Sequence, residues 1–394
     1  MAHILLRTQS IELTDRRFRL EIQMTTKNLS LARFIALGFA TFLFTANANA
    51  FAQNAAAQTK AEIERLQQSL KENPIQSTDL ADLTKGIDQR LKDAEFARAA
   101  GRLYLGLENL GQAEDYFQAV RTIQAKADAI KDNLPAFEAE WGKASLEYAA
   151  LDKQARQRDW GRFPAAVRAL SESAQGRTIP LLEGSRGFAT ATKPQDGLAY
   201  LGEAKGEATY ASFLYGLSLT RKGTPFPLRS VLSELEALQE KTNAAFQPPR
   251  SIDMHPRFIN LNATLKFARE LDSSKAYAGA LYQYLEAVRH FGMLDPAVPD
   301  AAKQASLRTT LADELKKVSA AKRDDSILQI FLERADGWLN KPDGAAPSAD
   351  EWRATQVVLQ QVLPAYYAAL KPAAPLQQRA GRTATLTLVR WPYT

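Results

Sequence analysis

The sequence contains no cysteine, and it has only three histidines in 394 residues. The missing cysteines exclude disulfides, thiolate nucleophiles and cysteine-ligated metal sites. Only His255 and His290 follow residue 50, and neither has a second ligand at metal-binding spacing. The G-x-S-x-G, G-x-G-x-x-G and G-x-x-x-x-G-K-[ST] motifs are also missing. The sequence therefore predicts no catalytic residues, no metal and no cofactor.

β-Branched residues are scarce, whereas alanine, leucine and long polar side chains dominate, which is the composition of helices. Apolar positions recur at spacings of three and four almost throughout the chain. We predict an all-α protein of helical hairpins, with Pro364 kinking the last helix and Ser348 to Glu351 forming a capping box. The predicted helices cover 54–72, 78–106, 110–132, 135–157, 160–174, 196–220, 227–244, 260–272, 276–292, 300–320, 325–340 and 349–370.

Residues 24–50 have the layout of a secretory signal peptide. Lys27 and Arg33 precede an apolar run at 34–44, and two overlapping small-x-small cleavage sites follow at 46–50. The run is shorter than the roughly 20 residues that a membrane span needs, although an uncleaved anchor is the alternative. We therefore expect a periplasmic or secreted protein with no integral membrane segment after cleavage.

Residues 1–23 carry acidic residues and do not belong to that signal, so we expect translation to start at Met24, with a genuine long leader as the alternative. The full chain has a formal net charge of +6. Residues 1–50 hold six Lys/Arg and three Asp/Glu, so the mature chain is near +3. A chain this close to neutral has no electrostatic footprint for nucleic acid.

Two segments share the residue spacing 3, 9, 4 and 3. The first set is Gly101, Tyr104, Ala113, Phe117 and Val120. The second set is Ala268, Leu271, Ala280, Tyr284 and Ala287. Small residues at the contact of two antiparallel helices let them approach closely, and a large residue one turn away fills the adjacent space. The spacing predicts tight helical hairpins near 94–127 and 261–294.

At these residues the chain resembles tetratricopeptide repeats. The resemblance is partial, because Ala97 and Thr264 occupy the position of the usual bulky aromatic, and an irregular helical bundle is the alternative. The resemblance implies a superhelix whose groove binds protein segments, with Arg98, Arg102 and Arg269 on the helices that line it. Arginines there would suit acidic side chains or a terminal carboxylate. A solvated face, with Arg98 paired to Glu95, is the alternative for the first hairpin.

Two carboxylate pairs stand beside tryptophans, and they define an alternative function. Glu138 and Glu140 precede Trp141, and Asp350 and Glu351 precede Trp352. Paired carboxyls with a flat ring are what cleavage of a glycan requires. A polysaccharide-active or polysaccharide-binding helical toroid is therefore the second reading, and it is the weaker one because acids beside tryptophan are also common at helix starts.

The end of the chain has the clearest strand pattern, since threonines alternate with apolar residues from 383. We expect a strand at 383–394 anchored by Arg390 and Trp391, which would contact a partner protein or pack internally. Its internal partner would be 187–192, which alternates weakly; its external partner would be another protein's sheet.

The sequence thus predicts an exported, non-catalytic protein-binding or scaffold module whose partners are envelope or secreted proteins. Its predicted division is a leader at 1–50, an N-terminal helical half at 51–175, an irregular segment with a helix and a proline-rich linker at 176–259, a C-terminal helical half at 260–370, and a linker with the terminal strand at 371–394.

Overall fold

The computed structural model describes residues 40–75, 77–248, 252, 254–294 and 297–371. Within these residues the chain folds into twelve helices, one for each predicted helix. In chain order they are α1 Ala40–Glu72, α2 Ala81–Ala99, α3 Leu103–Ile130, α4 Leu134–Arg156, α5 Ala165–Ala191, α6 Leu198–Gly216, α7 Leu232–Ala245, α8 His255–Ser273, α9 Tyr277–Gly292, α10 Ala301–Ala320, α11 Ser326–Leu339 and α12, which comprises Ala349–Val357, the π-helical turn Val358–Val362 and Leu363–Ala369.

Local capping explains several helix starts. Asn133 and Asp300 each accept the backbone N–H three residues later, from Ala136 and Lys303. The capping box predicted at Ser348 is confirmed, because its hydroxyl accepts from the Glu351 N–H and the Glu351 carboxylate accepts from the Ser348 N–H. In α12 the π-helical turn ends two residues before Pro364, which has no N–H for an α-helical bond.

Helix α5 corrects one prediction. The stretch 176–195 contains glycines and Pro180 and was expected to be irregular, yet the helix runs unbroken to Ala191. Leu181 and Leu182 are buried against α4 and α6, so tertiary packing holds the helix together across the proline. Residues 187–191 are consequently helical and cannot pair with a strand. The predicted strand at 383–394 lies outside the described residues.

Three hydrophobic clusters form the interior. The largest joins residues of α1, α3 and α5 to α12, the second joins α1, α2 and α3, and the third joins α3 to α6. The only bridge between extended segments in the described part of the chain links Thr224 and Arg323, and no described segment forms a β-sheet. Among the described helices, none combines the length and the apolar character that a membrane crossing requires.

Helices α3 and α6 pack backbone against backbone. A Cβ added to Gly202 would lie 2.4 Å from Cα of Ala119, and one added to Gly206 would lie 2.6 Å from Cα of Asp115. The order of these contacts shows that the two helices run antiparallel. Side chains larger than hydrogen are excluded at both glycines because backbone faces backbone.

Both predicted hairpins are present, so the all-α fold is built from packed helix pairs, as a helical repeat protein requires. The second hairpin, α8–α9, has the predicted register. The first hairpin, α2–α3, does not, because Gly101 lies in the turn and Tyr104 already belongs to the second helix. The residues that match the spacing there lie seven positions earlier: Ala94, Ala97, Gly106, Leu110 and Ala113.

The two turns are built alike. In the first, the N–H groups of Gly101 and Arg102 donate to the carbonyls of Arg98 and Ala97 at 3.1 and 2.8 Å. In the second, Lys275 and Ala276 donate to Asp272 and Leu271 at 3.0 and 2.9 Å. Gly101 and Lys275 both have a left-handed backbone, with φ of 77° and 64°. Residues of the two hairpins are therefore equivalent at an offset of 174.

Candidate functional site

The side chains of the three arginines predicted to line a binding groove interact with other residues of the chain. Arg98 pairs with Glu95 at 2.6 Å, as expected for a solvated face of the first hairpin. Arg102 is buried, and its Nε donates to Asp336 of α11 at 2.5 Å. Arg269 donates to the side-chain oxygen of Gln239 at 3.1 Å. Their role in partner binding stays a prediction, as does that of Arg390 and Trp391, which lie outside the described residues.

The two tryptophans that stand beside acids pack against arginines. Arg186 lies 4.9 Å from the ring centre of Trp141, whose N–H donates to the carbonyl of Leu182 at 2.8 Å. Arg308 lies 5.0 Å from the ring centre of Trp352, which is buried. Neither ring lines either of the two pockets described next.

A groove of about 500 Å³ is bounded by α4, α5, the turn at 160 and the C-terminal end of α8. We call it the main groove. Its apolar lining includes Tyr148, Trp160, Ile179, Phe267 and Ala276. Ile179 is 47% exposed, which is high for a large apolar side chain in a helix. A smaller pocket of about 220 Å³ adjoins it across Tyr148. An exposed apolar surface of this kind is typical of binding sites.

Two polar groups in the main groove lack the partners that the fold would normally supply. The side-chain nitrogen of Gln175 is buried and makes no hydrogen bond to a described residue. Pro180 has no N–H, so α5 cannot use the carbonyl of Gly176 for the usual bond to residue 180. Gln175, Gly176 and Pro180 all line the groove. One donor and one acceptor without their usual partners thus belong to residues that line the groove.

The charges of the groove are mainly negative. Four acidic residues line it, namely Asp152, Glu172, Glu183 and Glu270, against the two basic residues Arg168 and Lys275. Arg168 is neutralised by Glu172, to which its Nε donates at 2.6 Å. Glu270 makes an exposed, 3.7 Å pair with Lys266, and such pairs contribute little. The lining therefore carries a net charge near −2, which favours a cationic ligand.

Glu172 itself is structural. Burial raises its pKa, while Arg168 and the backbone N–H of Gly279 act in the opposite direction. Its Oε2 atom accepts from the Gly279 N–H at 2.8 Å and so caps the start of α9, which has no side-chain cap of its own. This leaves Glu172 unavailable for acid–base chemistry.

The same capping arrangement occurs at the first hairpin. Glu333 of α11 accepts the Leu105 N–H at the start of α3 at 2.9 Å, and Leu105 is equivalent to Gly279. Glu172 and Glu333 are each the eighth residue of their helix. In both cases the residue four positions earlier donates to Oε1: Arg168 at 2.6 Å and Gln329 at 2.7 Å. We call the two assemblies the first capped hairpin (α2, α3, α11) and the second capped hairpin (α8, α9, α5).

The main groove exists in only one of the two capped hairpins. It lies beside Ala276 and Gln175 in the second. Their equivalents in the first are Arg102 and Asp336, and the Arg102 side chain is buried between Asp336, the carbonyl of Asn340 and the ring of Phe96. A long side chain thus occupies this place in one hairpin, whereas alanine leaves it open in the other.

No pattern in the sequence predicts this groove. Its residues come from three helices that are separated by up to about 130 positions, and no local motif marks them. The one available signal was the pair of hairpins, whose equivalent positions differ at Arg102 and Ala276. His255 and His290 have no role in the groove, and no group of acids or histidines suited to a metal occurs among the described residues. Comparison with known proteins found no family model, no curated protein and no solved structure that matches this chain.

Proposed function

We propose that the chain is a non-catalytic protein-binding module that works outside the cytoplasm, and that the main groove receives an extended segment of a partner protein. The observation that carries the proposal is that two residues lining the groove leave a backbone-like donor and acceptor without their usual partners: the Gln175 side-chain nitrogen makes no hydrogen bond to a described residue, and the Gly176 carbonyl cannot accept from Pro180. An extended peptide offers a carbonyl and an N–H at every residue and can satisfy both groups.

The apolar lining supports the same function. Ile179, Phe267 and Trp160 give a partner side chain a surface to cover, and burying apolar area supplies most of the binding free energy in such sites. The helical hairpins and their tetratricopeptide likeness support a scaffold of this class. The signal-like segment at 24–50 supports export, with envelope or secreted proteins as partners.

Panning a displayed library of unstructured dodecapeptides on the purified protein tests the proposal. We expect the selected peptides to lose at least tenfold in affinity when Ile179→Asp places a charge in the groove. Leu146→Asp is the matched control, because Leu146 is 75% exposed on α4 and does not line the groove. Equal losses in both variants, or no selected peptide at all, would refute the groove as a peptide site. Retention of an envelope glycan instead would favour the polysaccharide alternative.

Export is tested separately. The protein recovered from the producing cells should fractionate outside the cytoplasm, with an N-terminus near residue 51. Recovery of an intact residue 24 in the cytosolic fraction would refute an exported function without bearing on the groove.

A further inference from the structure

We propose that the main groove binds the side chain of an arginine carried by the partner segment. The inference rests on the proposed function, because it specifies the chemistry of the segment that the groove receives. The inference is drawn from the equivalence of the two capped hairpins. In the first, the side chain of Arg102 fills a space whose counterpart in the second, beside Ala276, is open.

The equivalence is carried by three independent features. The two turns have the same hydrogen bonds and the same left-handed residue, at Gly101 and Lys275. The third residue of each following helix donates its N–H to a glutamate at the eighth position of another helix. Each glutamate also accepts from the side chain four residues before it. The space beside residue 102 in one hairpin therefore corresponds to the space beside residue 276 in the other.

Arg102 shows how a guanidinium is held in this place. Its Nε donates to Asp336, its Nη1 lies 3.5 Å from the carbonyl of Asn340, and its Cζ lies 5.4 Å from the ring centre of Phe96. The side chain reaches in from the hairpin turn and is buried there. In the second capped hairpin Ala276 contributes only a methyl group, so the corresponding space remains part of the main groove.

The second capped hairpin offers a guanidinium different but suitable contacts. Glu270 stands where the first has Phe96, and Gln175 stands where it has Asp336. Glu183, which lines the same groove, is an exposed carboxylate that forms no ion pair with a described residue. Carboxylates bind guanidinium through charge-assisted, often bidentate hydrogen bonds. Lys275 and Arg168 also line the groove, but Arg168 is already paired with Glu172.

The test uses peptides selected on the purified protein and one defined probe, N-acetylarginine N-methylamide. We expect the selected peptides to share an arginine, and we expect its replacement by citrulline, which keeps the shape but not the charge, to weaken binding about tenfold or more. Ala276→Arg should fill the groove as Arg102 fills its counterpart and reduce both peptide and probe binding at least tenfold. Ala320→Arg, at the exposed last residue of α10, is the matched control and should change neither.

The two proposals fail in different ways. This inference would be overturned, and the proposed function would stand, if the selected peptides depended on Ile179 but shared no arginine. The same holds if replacing arginine by citrulline did not weaken binding and the probe did not bind. Unchanged binding to a folded Ala276→Arg protein would overturn it as well. Glu270→Lys, on an exposed position, provides a second test, because it should weaken arginine peptides more than citrulline peptides. Equal effects on both would contradict an ionic contact.

Discussion

Nη1 of Arg334 lies 2.5 Å from Oε1 of Glu286, and both side chains are more than 90% buried. The other terminal nitrogen of Arg334 pairs with Glu108 of α3, which also accepts a hydrogen bond from the hydroxyl of Tyr282 at 2.5 Å. One guanidinium thus joins α3, α9 and α11 inside the largest cluster. Burial acts to raise the pKa of Glu286, but the charges of Arg289, Arg334 and His290 outweigh it and hold the pKa below its usual value.

Replacing this arginine should be among the most damaging single changes in the protein. Arg334→Met removes a buried counter-charge from both Glu108 and Glu286, although Arg289 remains beside Glu286, so we expect the free energy of unfolding to fall by about 3–5 kcal/mol. Arg353→Met, which removes a pair with the 66%-exposed Asp350, should cost less than about 1 kcal/mol. Urea denaturation followed by circular dichroism measures both. Similar losses of unfolding free energy in the two variants would show that the buried ion pairs of Arg334 stabilise the protein no more than an exposed pair does.

The stability of the protein should fall as pH rises from 5 to 8. Burial raises the pKa of Glu333 to about 8 and the pKa values of Glu114 and Glu203 to about 7, well above those of an unfolded chain. Groups with a raised folded pKa bind more protons in the folded state, so their stabilisation is complete below the unfolded pKa of about 4.3 and is lost as pH rises through the folded pKa. Groups with a lowered folded pKa, such as Glu286, lose their contribution only in more acidic solution.

Glu333→Gln isolates one part of this pH dependence. An amide oxygen can still accept the Leu105 N–H, but the side chain no longer ionises. We expect the wild type to lose a few kcal/mol of unfolding free energy between pH 5 and 8, and the variant to lose measurably less. Glu64→Gln, on the exposed surface of α1, is the control and should leave the slope unchanged. A variant with the same pH slope as the wild type would show that Glu333 is not protonated in the folded state.

The positions of the helices could be predicted well from the sequence, whereas the register of the first hairpin could not. A helix returns to nearly the same face after seven residues, so the set beginning at Gly101 and the set beginning at Ala94 have the same spacing and the same face. The available signal was Gly101 itself, because a glycine just after a helix usually ends it. The second hairpin has Lys275 at that place and carries no such signal.

The main groove could not be predicted, for a different reason. It depends on α5 packing against a hairpin that begins about 90 residues later, and on which of the two equivalent turns carries an arginine. Pro180 contributed to the error, since its local signature indicates a break and only the burial of Leu181 and Leu182 keeps α5 helical. The formation of the main groove and the continuation of α5 past Pro180 both depend on tertiary packing, which no local sequence pattern indicates.

The close contact of α3 with α6 predicts that alanine will destabilise the protein at Gly206, which lies in the contact, but not at Gly142, which lies outside it. Gly206→Ala places a methyl group 2.6 Å from Cα of Asp115 and 2.9 Å from the carbonyl oxygen of Glu114, so the helices must separate. We expect a loss of about 1–3 kcal/mol in unfolding free energy. Gly142→Ala, in α4 with no atom within 4 Å of the added carbon, should instead stabilise the protein by about 0.5–1 kcal/mol. Opposite signs in thermal denaturation confirm the contact; equal signs would show that α3 and α6 are less tightly packed.

The two equivalent turns predict a pair of substitutions with opposite effects. Gly101 and Lys275 have the same left-handed backbone, which costs a residue with a side chain roughly 1 kcal/mol more than glycine. Gly101→Ala should therefore destabilise the first hairpin by about that amount, and Lys275→Gly should stabilise the second by about 0.5–1 kcal/mol. Thermal denaturation at fixed pH and salt measures both changes. Lys275→Ala separates charge from backbone, because it removes the ammonium but keeps the strain; if it stabilised the protein as much as Lys275→Gly, the gain would come from the charge, and the turns would not be equivalent in energy.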